Sequence, residues 1–414
     1  MNVCRHCGRV PSLTFLDLGT APPSNAYLSA AQLDAPETFF PLRVAVCEAC
    51  WLVQTHDYAG REALFTADYA YFSSFSASWL AHAERYVIAM NSRYALGPND
   101  LVVEVAANDG YLLQYFQRRG VPCLGVEPTA ATARAARTKG LEIVEEFFGV
   151  ALARTLVAQR GAVSLFVANN VLAHVPDLHD FVAGFAAALR PDGVATFEFP
   201  HLLKLVEGKQ FDTIYHEHYS YLSLTTVVPL FARHGLTVFD VEELPTHGGS
   251  LRLHAQRTDS GARAVEPAVA AMLAVEEAAG MRGAAFYGTL QADAERIKDD
   301  LNAYLIDCKR KGVRVAGYGA AAKGNTLLNF AGVRADLLAY VIDRNPAKAG
   351  GYLPGNRIPV FDEDHLKADR PDRILILPWN LRDEIASQLS YAGAWGARFV
   401  VAVPSLQEWD GGAA

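Results

Sequence analysis

Between residues 101 and 200 the chain repeats one pattern. A short, mostly apolar run meets small or acidic residues and then a segment of helical periodicity. The runs sit in "LVVEVAANDGYLLQYFQRRG", "VPCLGVEPT", "AVSLFVANNVLAHVPD" and "DGVATFEFP". Near-continuous apolar strands alternating with helices predict a parallel, doubly wound sheet. "LTVFDVEELPTHGGSLRLHAQR" then predicts a β-hairpin closing that unit. Residues 262–310 are helical and charged, which suits a connector. "VRVAGYGAAAKGNTLLN" opens a second strand–turn–helix unit, and "LAYVIDRNP" and "RILILPWN" supply further strands. Upstream, residues 1–75 show only short strands such as "LRVAVCEAC" and a turn-rich "GTAPPSNAYL", before a helix near Ser76–Tyr94. No internal repeat stands out. The 414 residues exceed what one core holds. The expected α/β architecture has three domains: a small one at 1–75, a Rossmann-like one at 76–260, and a second Rossmann-like one at 261–414 with the helical connector.

A loop-rich segment of that size needs a staple. Cys4-x-x-Cys7 and Cys47-x-x-Cys50 provide one. Each pair is a tight turn aiming two thiolates at one point, which reads as structural, tetrahedral zinc; a redox dithiol is the alternative. Cys123 and Cys308 are isolated and read as ordinary thiols. The net charge of −8 argues against nucleic acid or an anionic membrane as partner. No apolar run reaches the roughly 18 residues that span a bilayer, and "MNVCRHCGRV" has no apolar signal region. A cytoplasmic protein, monomeric or a weak homodimer, is expected.

The first strand–turn–helix unit carries Glu104 in its strand and Ala106-Ala107-Asn108-Asp109-Gly110 in its turn. The next strand ends in Glu127, where a carboxylate accepts hydrogen bonds from two ribose hydroxyls. A dinucleotide fold would place G-x-G-x-x-G in the turn to receive pyrophosphate. This turn instead carries Asp109, which repels phosphate and suits a cofactor with a cationic amino-acid tail, such as S-adenosylmethionine (SAM). An ordinary turn without a ligand is the alternative. Phe147, Asn169 and Asn170 complete the candidate cofactor set. In the second unit, Gly317, Tyr318 and Gly319 lead into a helix with Lys323 in its first turn and Asn325 beyond. Backbone N–H groups, helix dipole and lysine together make an anion site for the phosphates of a nucleotide-linked substrate, with NAD as the competing ligand. His247 and Arg252 join this candidate substrate set.

"FDTIYHEHYSYLS" concentrates Tyr215, His216, Glu217, His218, Tyr219 and Tyr221. If extended, it points His216 and His218 one way and Glu217 the other; if helical, they splay apart. Neither arrangement makes a metal site, and no further ligand is evident. A solvated domain edge is the bland alternative. Acid–base catalysis is the stronger one, because histidine titrates near neutral pH. His174 in "NNVLAHVPD" and His247 in "THGGS" stand near the expected mouth of the same cleft.

The zinc knuckles, "YAYFSS" (69–74), "VEVAANDGYLL", "GVEP", "NNVLAHVPD", "YHEHYSYLS", "HGGS" and "GYGAAAKGNT" occur in an order that resembles the SAM-dependent sugar C-methyltransferases acting on nucleotide-linked keto-deoxysugars. The resemblance covers nearly the whole chain. It implies a zinc domain, a central SAM domain and a C-terminal domain for a nucleotide-diphosphate-linked keto-sugar, in antibiotic or polysaccharide biosynthesis. It also implies that "YHEH" lies between the two larger domains and supplies the base. His218 is the first choice to remove the acidic C3 hydrogen beside a 4-keto group. Tyr215, His216, His174, Tyr69 or Tyr71 would stabilise the oxygen anion, and Glu217 would orient a histidine or a sugar hydroxyl. Ala106 and Ala107 stand where many methyltransferases have glycine. Sugar O- or N-methylation, NAD-dependent oxidation and a non-catalytic binding module are the competing functions.

Overall fold

The computed structural model describes residues 3–58, 60–64 and 72–411. Strands β1 (Leu13–Ala21) and β2 (Phe40–Val46) pair antiparallel, and β3 (Val53–Thr55) adds to β2. The cysteine pairs flank this sheet, one before β1 and one after β2. Its apolar face has no core of its own. Phe15, Leu16, Leu42 and Val44 share a core with Leu290, Ala294, Ile297 and Leu301 of the helix Leu290–Arg310. A sheet this small cannot bury enough surface alone, and it uses the C-terminal unit to do so.

In the central unit β4 (Val102–Val105), β5 (Cys123–Val126), β6 (Ile143–Val144), β7 (Val163–Asn169) and β8 (Leu189–Pro200) run parallel. The next strand, β9 (Ser220–Tyr221), leaves this sheet and pairs antiparallel with β3, Val53 opposite Tyr221. The hairpin of β10 (Leu236–Leu244) and β11 (Ser250–Arg257) then closes the central sheet against β8. The spatial order is β10-β11-β8-β7-β4-β5-β6. It reverses direction between β4 and β7, which opens a crevice at their carboxyl ends. The helix Ala77–Tyr94 starts where Ser76 Oγ accepts from Trp79 N at 3.2 Å. It buries Ala83, Tyr86, Val87 and Met90, the i, i+3, i+4, i+7 stripe of an amphipathic helix.

The C-terminal sheet holds β12 (Val315–Tyr318), β13 (Val341–Ile342), β14 (Val360–Phe361), β15 (Arg373–Ile376), β16 (Arg398–Val401) and β17 (Gln407–Asp410), ordered β14-β13-β12-β15-β16-β17. It is parallel except for the antiparallel edge strand β17. Its own direction reverses between β12 and β15, so a second crevice opens there.

The charged segment 262–310 is more than a connector. Leu290–Arg310 buries Leu290, Ala294, Ile297, Leu301 and Leu305. The helix Pro267–Ala278 places Glu276, fully buried, against the central unit. Glu276 accepts from His201 Nε2, Leu224 N and Thr225 N, each at 2.7 Å. It thereby satisfies the first backbone donors of the helix Leu224–Arg233. Burial opposes its ionisation, but His201 and Thr225 hold its pKa below the ordinary value. Among the described residues no helix is long and apolar enough to cross a membrane.

Glu276→Ala strands a buried histidine and two buried N–H groups. It is expected to cost about 3 kcal/mol, read as a lower urea midpoint, with Glu276→Gln losing less because one acceptor remains. With a depressed folded pKa, this contribution is complete above the ordinary glutamate range and fades as pH falls through it. The difference between wild type and Glu276→Ala should therefore shrink in acid.

Candidate active site

Residues Tyr215–His218 form a turn closed by His218 N donating to Tyr215 O at 3.0 Å. This is neither extended nor helical, so His216 and His218 diverge. His216 sends Nε2 toward the Pro41 carbonyl at 3.3 Å and packs edge-on to Phe40, inside the N-terminal unit. His218 turns the other way. Its Nδ1 donates to the Thr213 carbonyl at 2.8 Å, which fixes the tautomer and leaves Nε2 to accept from the Tyr215 hydroxyl at 2.9 Å. The two rings lie 4.0 Å apart, and His174 meets His218 edge-on at 4.6 Å.

These imidazoles are held neutral. Burial, then the neighbouring His174, sets the His218 pKa well below the ordinary value, and burial takes His174 and His247 to about 4. His174 Nδ1 donates to the Glu217 carbonyl at 2.9 Å. The Glu217 carboxylate is fully buried and raised in pKa by that burial. It accepts from Asn25 Nδ2 at 3.1 Å, while its second oxygen has no partner among the described residues. Asn25, in the turn-rich N-terminal stretch, escaped the sequence reading because no motif marks it. Tyr69 and Tyr71 lie outside the described residues.

The central crevice is lined by acids and amides. Glu104 on β4 is fully buried; burial first, then Asp109 and Glu127, drives its pKa well above the ordinary value. Glu127, beyond β5, accepts from Asn108 N and Thr129 N, each at 2.9 Å. Ala106 and Asn108 take left-handed φ values of 61° and 50°. Asn108 tolerates this, and Ala106 stores about 1 kcal/mol of strain that glycine would not. Asp109 Oδ2 pairs with Lys139 at 3.4 Å, and Oδ1 has no partner among the described residues. The amides of Asn169 and Asn170 are buried at the end of β7 with no partner among the described residues. Gly110 stands beyond Asp109, and Phe147 is half-buried after β6. Unpartnered amides beside clustered carboxylates fit a cofactor with hydroxyls and a cationic tail.

On the C-terminal side, Lys323 Nζ donates to Asn380 Oδ1 at 2.6 Å and lies 4.6 Å over the Trp379 ring. Trp379 Nε1 in turn donates to Asp212 Oδ2 at 2.8 Å. Burial pushes Asp212 up to about 6, against the opposing charge of Lys323. Lys323 also depresses His218 and His247, which ties it electrostatically to the Tyr215–His218 turn. His247 packs on Trp79, and a Cβ on the adjacent Gly248 would meet Trp379 at 2.6 Å.

The other expected substrate residues make contacts within the protein. Tyr318 bonds Glu363 at 2.6 Å inside the far core, and Arg252 gives its guanidinium to Glu198 and Glu242. Gly317 is packed under Val341, and Gly319, at φ 86°, lets Pro378 approach. Asn325 is buried, and its Nδ2 has no partner among the described residues. Asp212, Trp379 and Asn380 were missed because only the fold brings them to Lys323.

The sulfurs of Cys4, Cys7, Cys47 and Cys50 all lie within 4.8 Å of one another, Cys4–Cys50 and Cys7–Cys47 at 3.4 Å. Four converging thiolates fit tetrahedral zinc. Asp240, Glu242 and His254 also converge, but Arg93 and Arg252 already pair with those carboxylates.

Three family models match the chain: "Putative zinc binding domain" over residues 4–65, "Methyltransferase domain" over 79–241 and "C-methyltransferase C-terminal domain" over 245–404. The protein "C-methyltransferase NovU" of Streptomyces niveus is 34% identical over 401 residues, covering 97% of this chain and 95% of its own. Among solved structures, magnesium protoporphyrin IX methyltransferase (ChlM) from Synechocystis PCC 6803 with bound SAM is 14% identical. It covers 43% of this chain and 81% of its own, with a TM-score of 0.33. A SAM-dependent methyltransferase from Archaeoglobus fulgidus is 12% identical over 42% of this chain and 94% of its own, with a TM-score of 0.35.

Elemental analysis is expected to find about one zinc per chain, with Cys47→Ser losing it. Asn169→Ala should weaken SAM binding about tenfold in calorimetry, roughly 1.4 kcal/mol; affinity within twofold of wild type would remove Asn169 from the cofactor site.

Proposed function

The chain belongs to the SAM-dependent C-methyltransferases, and we propose that it methylates C3, beside the ketone, of a nucleotide-linked 4-keto-deoxysugar. The observation that carries this reading is the His218–Tyr215 pair: a buried, neutral imidazole whose tautomer is fixed by the Thr213 carbonyl. Methylating carbon requires a carbanion equivalent, and the hydrogen next to a ketone is the one an imidazole can remove. Methylating oxygen or nitrogen needs no such C–H acid.

His218 Nε2 is the base. In the structure it accepts from Tyr215; with substrate in place, the Tyr215 hydroxyl turns its hydrogen to the ketone oxygen and frees the Nε2 lone pair for C3. Removing the C3 proton puts negative charge on that oxygen. Tyr215 and the Lys323 ammonium are the donors for it, whereas neutral His174 spends its one N–H on the Glu217 carbonyl. His216 is not among them, because it is directed to Pro41.

SAM, when bound, supplies a sulfonium methyl group. The chain's share is to hold it with Asp109, Glu127, Asn169 and Asn170, and to keep C3 aligned with that crevice. Lys323, Asn380 and Trp379 line the opposite crevice, where they would receive the sugar nucleotide and its diphosphate. Glu217, with one oxygen unpartnered, would take a sugar hydroxyl.

The test uses SAM and a TDP-4-keto-2,6-dideoxyhexose in deuterium oxide, read by mass spectrometry. Wild type should transfer methyl and, without SAM, exchange hydrogen at C3. His218→Asn should lower kcat by about 10²–10⁴ and abolish the exchange while keeping SAM affinity. Exchange that survives in His218→Asn sinks the assignment. Because burial holds His218 below the ordinary histidine pKa, the base stays neutral as pH drops. The kcat/KM plateau should therefore extend to more acid pH than an exposed histidine permits.

A further inference from the structure

Arg5 occupies the middle of the first zinc knuckle, between Cys4 and Cys7, yet its side chain is only 5% exposed. The guanidinium leaves the knuckle and crosses to the catalytic segment. Nη1 donates to the Thr55 carbonyl at 3.0 Å and to the Tyr219 carbonyl at 2.8 Å. The group lies 5.2 Å over the Tyr219 ring, and Nη2 pairs with Asp57. The Arg5 backbone N–H is itself fixed by Gln54 Oε1 at 2.9 Å, on β3.

Tyr219 follows His218 directly. Its carbonyl also accepts from Thr55 N at 3.1 Å, and its N–H donates to the Ala173 carbonyl at 2.8 Å. The His218 carbonyl accepts from Thr55 Oγ1 at 3.0 Å. The main chain of the His218–Tyr219 step is thus tied on one side by the zinc knuckle and β3, and on the other by the loop that carries His174. Arginine suits this place because its planar fork reaches two carbonyls and an aspartate at once, which a lysine ammonium on a flexible stem does not.

We infer that Arg5 is a positioning residue: from inside the zinc knuckle it fixes the main chain that carries His218, and so couples metal occupancy to the geometry of the base. The inference rests on the assignment of His218 made above. The knuckle turn keeps its shape because two thiolates are drawn to one point, and Arg5 transmits that shape outward. A displacement of about 1 Å at a reacting group costs on the order of 10² in rate. Loss of the Arg5 fork therefore reaches catalysis without any change in the residues that touch substrate.

The test is hydrogen–deuterium exchange of peptides covering residues 213–222 in full-length protein, zinc-loaded and chelated, with zinc content and steady-state kinetics measured in parallel. Arg5→Gln at full zinc content should speed exchange in this segment at least tenfold. It should lower kcat between tenfold and a hundredfold and leave the KM for sugar nucleotide within threefold. Chelated wild type should show the same faster exchange. Thr55→Val, which removes the hydroxyl on His218 without touching the knuckle, should act in the same direction with zinc retained, and it is the decisive variant if Arg5→Gln loses metal. Unchanged exchange in the zinc-retaining variants, or faster exchange with unchanged kcat, overturns the inference. Activity surviving in His218→Asn would instead overturn the base assignment, and the exchange data would stand apart from that outcome.

Discussion

The turn Tyr215–His218 is closed by one hydrogen bond of its own, so its shape is imposed by what surrounds it. From the N-terminal unit, Thr55 and Arg5 hold the carbonyls of His218 and Tyr219, and Asn25 holds the Glu217 carboxylate. From the central unit, Ala173 and His174 hold the Tyr219 N–H and the Glu217 carbonyl. From the C-terminal unit, Thr326 Oγ1 donates to the Ile214 carbonyl at 3.0 Å, and Trp379 donates to Asp212. Backbone groups in an irregular segment must find partners when buried, and here each neighbouring unit supplies some of them. The site exists only where all of these ties are made together.

The two crevices differ in electrical character. The central one gathers Glu104, Asp109 and Glu127, which favours a cation. Across the turn stand Lys323 and histidines kept neutral by burial, a setting that favours a developing anion without holding a full set of charges at rest. Under the proposed reaction, a methyl donor of positive charge and an acceptor that becomes negative would each meet the wall that suits it. Asp212, raised by burial but held in check by Lys323, keeps the second wall from carrying an uncompensated ammonium.

Much of this was legible in the sequence because it depends on local pattern. Continuous apolar runs specify β4, β5, β7 and β8, the 3.6-residue stripe specifies Ala77–Tyr94, and the C-x-x-C spacing specifies the sulfur cluster. The shape of "YHEH" was not legible, since neither periodicity governs a turn made by outside partners. Lys323 was visible as a lysine in a first helical turn. Its partners Asn380, Trp379 and Asp212 come from distant segments, and nothing local marks them. The glycines of "GYGAAAKG" admit two readings. A tight turn and a close helix–strand contact ask for the same residue as a phosphate loop, and Gly319 answers to Pro378. Arg252 is ambiguous likewise, because a buried cation serves an ion-pair network, here with Glu198 and Glu242, as readily as a ligand.

The pairing of β3 with β9 bears on the order in which the chain can assemble during synthesis. The N-terminal sheet leaves the ribosome first, but one edge stays uncovered until Ser220 and Tyr221 have been made. Its apolar face waits longer still, for Leu290–Arg310. An unpaired strand edge beside exposed apolar surface is the form of nascent chain most prone to stick to its neighbours. Metal capture by the early cysteines would hold those strands in register through the wait. Transplanting the first 75 residues onto another enzyme would export that exposed edge without the strand that covers it.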